Sequence, residues 1–70
     1  MSVDLAYDPA TDSLYIKLRP GESVDNRILS DDVVIDVGED GEPVGYDIQH
    51  ASQHPDAIAE ALGYLHRQAA

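Results

Sequence analysis

Three histidines and a dense set of carboxylates are the groups in this 70-residue chain that could do chemistry. His50 and His54, with Asp47 close by, offer imidazole and carboxylate to a divalent cation such as Zn²⁺, Ni²⁺ or Cu²⁺. The trio His50, His54 and Asp47 is therefore the candidate metal site, or the centre of a minor enzyme. Against it stands the spacing. The two imidazoles straddle a strand-to-helix junction, where no common face is guaranteed. The competing reading is a pair of exposed junction histidines, one of them capping the helix. His66 stands apart, near the end of the chain.

The carboxylates cluster between Asp31 and Asp47, where seven occur with no Lys or Arg among them. The stretch "VGEDGEPVGYDIQH" invites comparison with a calcium loop. Such a loop needs oxygen ligands at alternate positions and a bidentate acid at the end. Counted from Asp36, the third position is Gly38, which has no ligand atom in its side chain. An Asp-Gly turn between two alternating strands explains the same residues as a hairpin tip, with Gly41 free to take a positive φ. Acid–base catalysis requires a carboxyl with a shifted pKa in a cleft. These acids fall at turn tips or on solvent faces, and 70 residues leave little room for a pocket of a few hundred Å³. Asp36 and Asp47 sit on facing strands and would repel if directly paired, so an offset is expected. Ser13, Ser23, Ser30 and Ser52 lie in no nucleophile elbow or phosphate loop, and Ser52 reads best as a helix cap.

Composition narrows the classes further. Fourteen acids face four bases, for a formal charge of −10. Nucleic-acid affinity draws on Lys and Arg, so DNA and RNA are excluded as partners of the isolated domain. Anionic membrane surfaces are disfavoured for the same reason. A basic protein or a cation would be attracted. There is no cysteine, hence no disulfide, thiolate metal site or thiol catalysis. No apolar run is long enough to span a bilayer. The start "MSVDLAYD" shows no export signal.

The elements that must position these groups follow from periodicity. "SVDLAYD" and "SLYIKLR" alternate about a "DPATD" turn, with Val3, Leu5 and Tyr7, then Leu14, Ile16 and Leu18, expected inward. "ESVDNRILS" reads as an irregular or edge strand with Val24, Asn26 and Ile28 on its core face, although Leu29 fits the opposite one. Its charges, Glu22, Asp25 and Arg27, suit an edge. "DVVIDV" and "EPVGYDIQH" form the second hairpin, with Val33, Ile35 and Val37 facing Val44, Tyr46 and Ile48. Beyond His50 the period becomes helical: Ala57, Ile58, Ala61, Leu62 and Leu65 make one apolar stripe. Pro55 suits the first helical turn, and Ser52 or His54 is the expected cap. The fold class is α+β: a small antiparallel β-meander of four to five strands with one C-terminal helix packed on a face. One domain covers 1–70, with the sheet over about 2–50 and the helix over about 54–68.

The segments "YDPATDSLYIKL", "VVIDVGEDGEPVGYDI" and "HAS" resemble the small prokaryotic domains grouped as domain-of-unknown-function family 2283. Tyr7, Asp8, Asp12, Leu14, Tyr15 and Ile16 carry the first part of the resemblance. Asp40, Gly41, Val44, Gly45, Ile48, Ala51 and Ser52 carry the second. It spans roughly residues 5 to 52. It implies a β-rich fold and a prokaryotic, cytoplasmic setting, and it brings no activity, cofactor or catalytic residue.

A chain this short buries little more than about 60% of its unfolded surface, so pairing with a copy of itself is a natural source of stability. Tyr15, Val34 and Leu29 are expected opposite the core set, on a face that a homodimer could cover. The function expected from these residues is a non-catalytic, self-associating interaction module, with no cofactor. Its acidic surface would receive a basic partner, as in an antitoxin-like regulator. The alternative is the cation site or minor enzyme at His50, His54 and Asp47.

Overall fold

The computed structural model describes residues 4–69. Five strands precede one helix: β1 (Asp4–Asp8), β2 (Ser13–Lys17), β3 (Asp25–Ile28), β4 (Val33–Val37) and β5 (Pro43–Ile48), then a single 3-10 turn (Ala51–Gln53) and α1 (Pro55–Ala69). This is the α+β architecture anticipated from the two periodicities. All pairings are antiparallel, in the spatial order β1-β2-β5-β4-β3. The order is not strictly sequential. The β3-β4-β5 meander joins the β1-β2 hairpin through β5, which becomes the central strand. Val3, expected on the inner face, lies outside the described residues.

Alternation sorts the side chains as the sequence implies. Ile16, Val33, Ile35, Val37, Tyr46 and Ile48 are buried on one face, joined by Leu18, Ala51 and Ala61. The helix lies against β5, and Ala57, Ile58, Tyr64 and Leu65 pack on this core. Tyr46 anchors it. Its ring is fully buried, meets Tyr64 at 6.1 Å between centroids, and its hydroxyl donates to Glu60 at 2.6 Å. Burial and the Glu60 carboxylate together push the Tyr46 phenol well above its ordinary range. Pro55 opens the helix, where its missing N–H costs nothing.

Three expectations need correction. Leu62 belongs to the apolar stripe by spacing but is 43% exposed, and Tyr64 takes its place on the core. The helix covers the middle of the sheet and not its margins. For that reason Leu5 and Tyr7, which share the core face through their pairing with Ile16 and Leu14, stay more than half exposed. On β3 the face is reversed. Asn26 pairs with Asp36 and Ile28 with Val34, so Asn26 and Ile28 belong to the open side, while Val24 precedes the strand and bonds its amide to the Val37 carbonyl. Leu29 bonds to Val33 and turns toward the helix side, in contact with the hollow beside Ala57.

Two polar clamps hold the ends of the sheet. The link from β2 to β3 passes the tip of the β4-β5 hairpin, and Arg19 grips Asp40 there with both terminal nitrogens, at 2.9 and 2.5 Å. Gly41 takes φ +82 at that tip, as the Asp-Gly turn requires. At the other end, Asp12 adopts a left-handed φ of 54, which aspartate tolerates better than most residues.

Candidate functional site

The sheet gathers the chemistry-bearing side chains into three groups. The first lies where β4 begins and β5 ends. Val33 pairs with Ile48, and the Gln49 amide donates to the Asp32 carbonyl at 2.7 Å. This register brings Asp32 beside the junction after β5. His50 turns the chain with φ 51 and places Nδ1 3.1 Å from Asp32 Oδ1. His54, just before Pro55, places Nε2 2.8 Å from Asp32 Oδ2. An ionised carboxylate only accepts, so each imidazole presents a ring N–H to it. These bonds, from His54 first and His50 second, hold the Asp32 carboxyl below the usual range.

The two histidines thus converge, but on Asp32 and not on Asp47. Asp47 pairs across to Tyr15 and Val34 on the open face, where it accepts from Gln49 Nε2 at 3.0 Å. The expected trio His50, His54 and Asp47 is brought together only as far as its histidines. Each imidazole occupies a different oxygen of one carboxylate. Among the described residues no three His, Cys, Asp or Glu side chains are disposed to hold a metal ion. His54 also borders a shallow hollow of about 350 Å³ with Leu29, Val33, Ala57 and Glu60. Among the described residues no hydroxyl is bonded to either imidazole; each ring bonds to Asp32.

The second group explains the first half of the sequence motif. Asp12 accepts from the Tyr7 hydroxyl at 2.8 Å and from the Ser52 hydroxyl at 2.6 Å, and the Ser52 amide lies 3.2 Å from both its oxygens. Its backbone carbonyl accepts from the Ala51 amide at 2.8 Å. Ser52 therefore does not cap α1; its hydroxyl is committed to Asp12. His54 likewise sends its ring to Asp32, while its carbonyl accepts from Ile58. The Ser52 and Tyr7 hydroxyls hold the Asp12 carboxyl low, and Asp12 in turn raises the Tyr7 phenol. Ala51 is buried in the core beside this clamp.

The third group crosses the open face. Tyr15 lies over Gly45, where a Cβ would overlap its hydroxyl and ring. Its hydroxyl donates to Asp36 Oδ2 at 3.0 Å, and Asn26 Nδ2 donates to Asp36 Oδ1 at 2.8 Å. Desolvation and the Asp36 carboxylate push the Tyr15 phenol up to about 12. Asp36 pairs with Gly45 and Asp47 with Val34, so the two acids are offset, as expected. Asp32 and the linking role of Asp12 escaped the sequence reading. The signal for Asp32 was the strand register, which sets it beside Gln49; the signal for Asp12 was its place in the recurring motif with Tyr7 and Ser52.

At the sheet margins, β1 exposes Leu5 and Tyr7, and the β3 region exposes Val24, Ile28 and Leu29. No helix among the described residues is long and apolar enough to cross a membrane. Comparison with known proteins adds one result. No curated protein and no solved structure matches the chain. A family model described as "Protein of unknown function (DUF2283)" matches residues 5–52, well over half of the 70 residues, and contains every residue of the Asp12 clamp and the Tyr15–Gly45 contact. The chain belongs to the DUF2283 family of proteins of unknown function.

Proposed function

We propose that this protein is a non-catalytic, self-associating interaction module of the prokaryotic cytoplasm, whose acidic surface receives a basic protein partner. One observation carries the reading. The polar motif side chains are committed to structural contacts, Asp12 to Tyr7 and Ser52, and Tyr15 to Asp36 over Gly45. The unspent features are the two edge strands with their exposed apolar residues and the carboxylates around them. Small proteins with thin cores gain most from a second chain, and a formal charge of −10 favours a basic one. An antitoxin-like regulator that masks a basic toxin is one form of this function. Sedimentation of the purified chain over a range of concentrations tests self-association. A rising mass is expected, and a single monomer mass throughout would end the reading.

A second reading is a divalent-cation site at His50, His54 and Asp47. The convergence of both imidazoles on a carboxylate favours it, with Asp32 as the nearer oxygen ligand. Metal would have to displace Asp32 from at least one imidazole. Titration with Zn²⁺ or Ni²⁺, followed by histidine NMR shifts and melting temperature, separates the two readings. Unchanged spectra at millimolar metal exclude the site.

A further inference from the structure

We infer that the interface between copies of this chain is the β3 edge, with Val24–Ile28 of one copy antiparallel to Val24–Ile28 of the other about a two-fold axis at Asn26. This rests on the self-association proposed above and names the edge, the register and the partner. The sequence of the segment is "VDNRI". Antiparallel pairing centred on Asn26 sets Val24 opposite Ile28 of the second copy, and Asp25 opposite Arg27. Directly opposite residues share a face. The open face therefore receives two Val–Ile pairs, and the helix face receives two Asp–Arg pairs. The acid, the base and the apolar residues are each self-complementary, which a two-fold interface demands.

The backbone permits this register. The Leu29 amide bonds to the Val33 carbonyl, and strand register continues with Arg27 opposite Ile35 and Asp25 opposite Val37. Hydrogen-bonded and non-hydrogen-bonded pairs alternate along an antiparallel ladder. Asn26 and Ile28 therefore turn their N–H and C=O groups away from β4, toward the free edge, whereas the Val24 amide stays bonded to the Val37 carbonyl of β4 at 2.9 Å, so Val24 brings its side chain and not its N–H to the pairing. In keeping with this, the Asn26 amide bonds to the Asp25 carboxylate at 2.8 Å. In the paired state two Asn26 residues face each other and exchange both backbone bonds, and Asp25 moves to Arg27 of the second copy. Matching outward groups to outward groups leaves few registers. Moving the axis by one residue sets Arg27 against Arg27 or Asp25 against Asp25, and like charges directly opposite are destabilising.

Charge also separates the two edges. The β1 segment "DLAYD" has acids at both ends and no base, so centring it on Ala6 opposes Asp4 to Asp8 twice. Arg27, by contrast, is the one base among the described residues without a hydrogen-bond, ion-pair or ring partner. Lys17 donates to the Gly21 carbonyl, Arg19 holds Asp40, and Arg67 lies over Tyr64. Ile28 is 74% exposed and Val24 59%, the two most exposed large apolar side chains described. Pairing at this edge covers both.

Two experiments test the register. In the first, Arg27→Asp and Asp25→Arg are made separately and sedimented alone and mixed in equal amounts. Each alone opposes like charges at both pairs and should weaken the dimer at least ~10-fold. The mixture restores opposite charges at both pairs and should dimerise at least as tightly as the parent. In the second, Asn26→Cys and Ala6→Cys are oxidised in turn, since the parent has no cysteine. Facing residues in an antiparallel ladder are within disulfide reach, so Asn26→Cys should cross-link and Ala6→Cys should not. Circular dichroism confirms that each variant is folded. A dimer that ignores both charge reversals, or that cross-links through Ala6→Cys and not Asn26→Cys, overturns the β3 edge and leaves self-association standing. A parent chain that stays monomeric at every concentration removes both.

Discussion

At the scale of single residues, the groups that look reactive are mostly fasteners. Asp12 has the environment of a functional carboxylate, with two hydroxyls and an amide aimed at it, yet every partner belongs to the fold. Asp12→Gly keeps the left-handed backbone and deletes the acceptor. We expect a lower melting temperature and a Tyr7 phenol that titrates nearer its ordinary value, since Asp12 is the main cause of its rise. Ultraviolet titration of tyrosine checks this, with an unmoved Tyr7 counting against the clamp. Gly45 makes a second test. Gly45→Ala forces Tyr15 aside, breaks its bond to Asp36 and should cost about 1–3 kcal/mol as an overpacking change. The Tyr15 phenol should then fall from about 12. Wild-type stability in this variant would mean that Tyr15 has a second resting place.

At the scale of elements, the helix shows how far periodicity reaches. The spacing of Ala57, Ile58, Ala61 and Leu65 correctly identifies a packed stripe. It cannot say where the stripe's margin falls, because that depends on where α1 crosses the sheet. Crossing over β5 brings Tyr64 onto Tyr46 and leaves Leu62 outside. Leu62→Ala should therefore change the unfolding free energy by no more than about 0.5 kcal/mol. Leu65→Ala, on the packed side, should cost more. Urea denaturation of the two variants decides, and equal losses would place Leu62 in the core or in an interface. The strand faces were legible for β2, β4 and β5, where three inward residues alternate without interruption. They were not legible for β3, where every residue is exposed and no burial pattern marks a face.

At the scale of the whole molecule, the carboxylates set how stability depends on pH. Arg19, and then the Glu42 amide, hold the Asp40 carboxyl at about 2, below its ordinary 3.8. A carboxyl lowered on folding stabilises the protein above its unfolded pKa, and that contribution is lost as pH falls through the folded one. Asp32 and Asp12 are lowered in the same direction. Stability should therefore decline as pH falls from about 4 to about 2. Asp40→Asn should flatten part of that decline, measured by thermal melts across the range. An identical pH profile in the variant would show that the Arg19 pair does not survive in solution.

Local patterning in the sequence determined the two hairpins, the glycine at the acidic tip, the helix and the class of the fold. Each is set by neighbours a few residues apart, so alternation, turn chemistry and helical spacing suffice. Only the tertiary structure decided that β5 lies beside β2, that Asp32 and not Asp47 meets the histidines, and that Asp12 reaches Ser52. Those partners are tens of residues apart along the chain, and nothing short of strand order and register brings them within bonding distance.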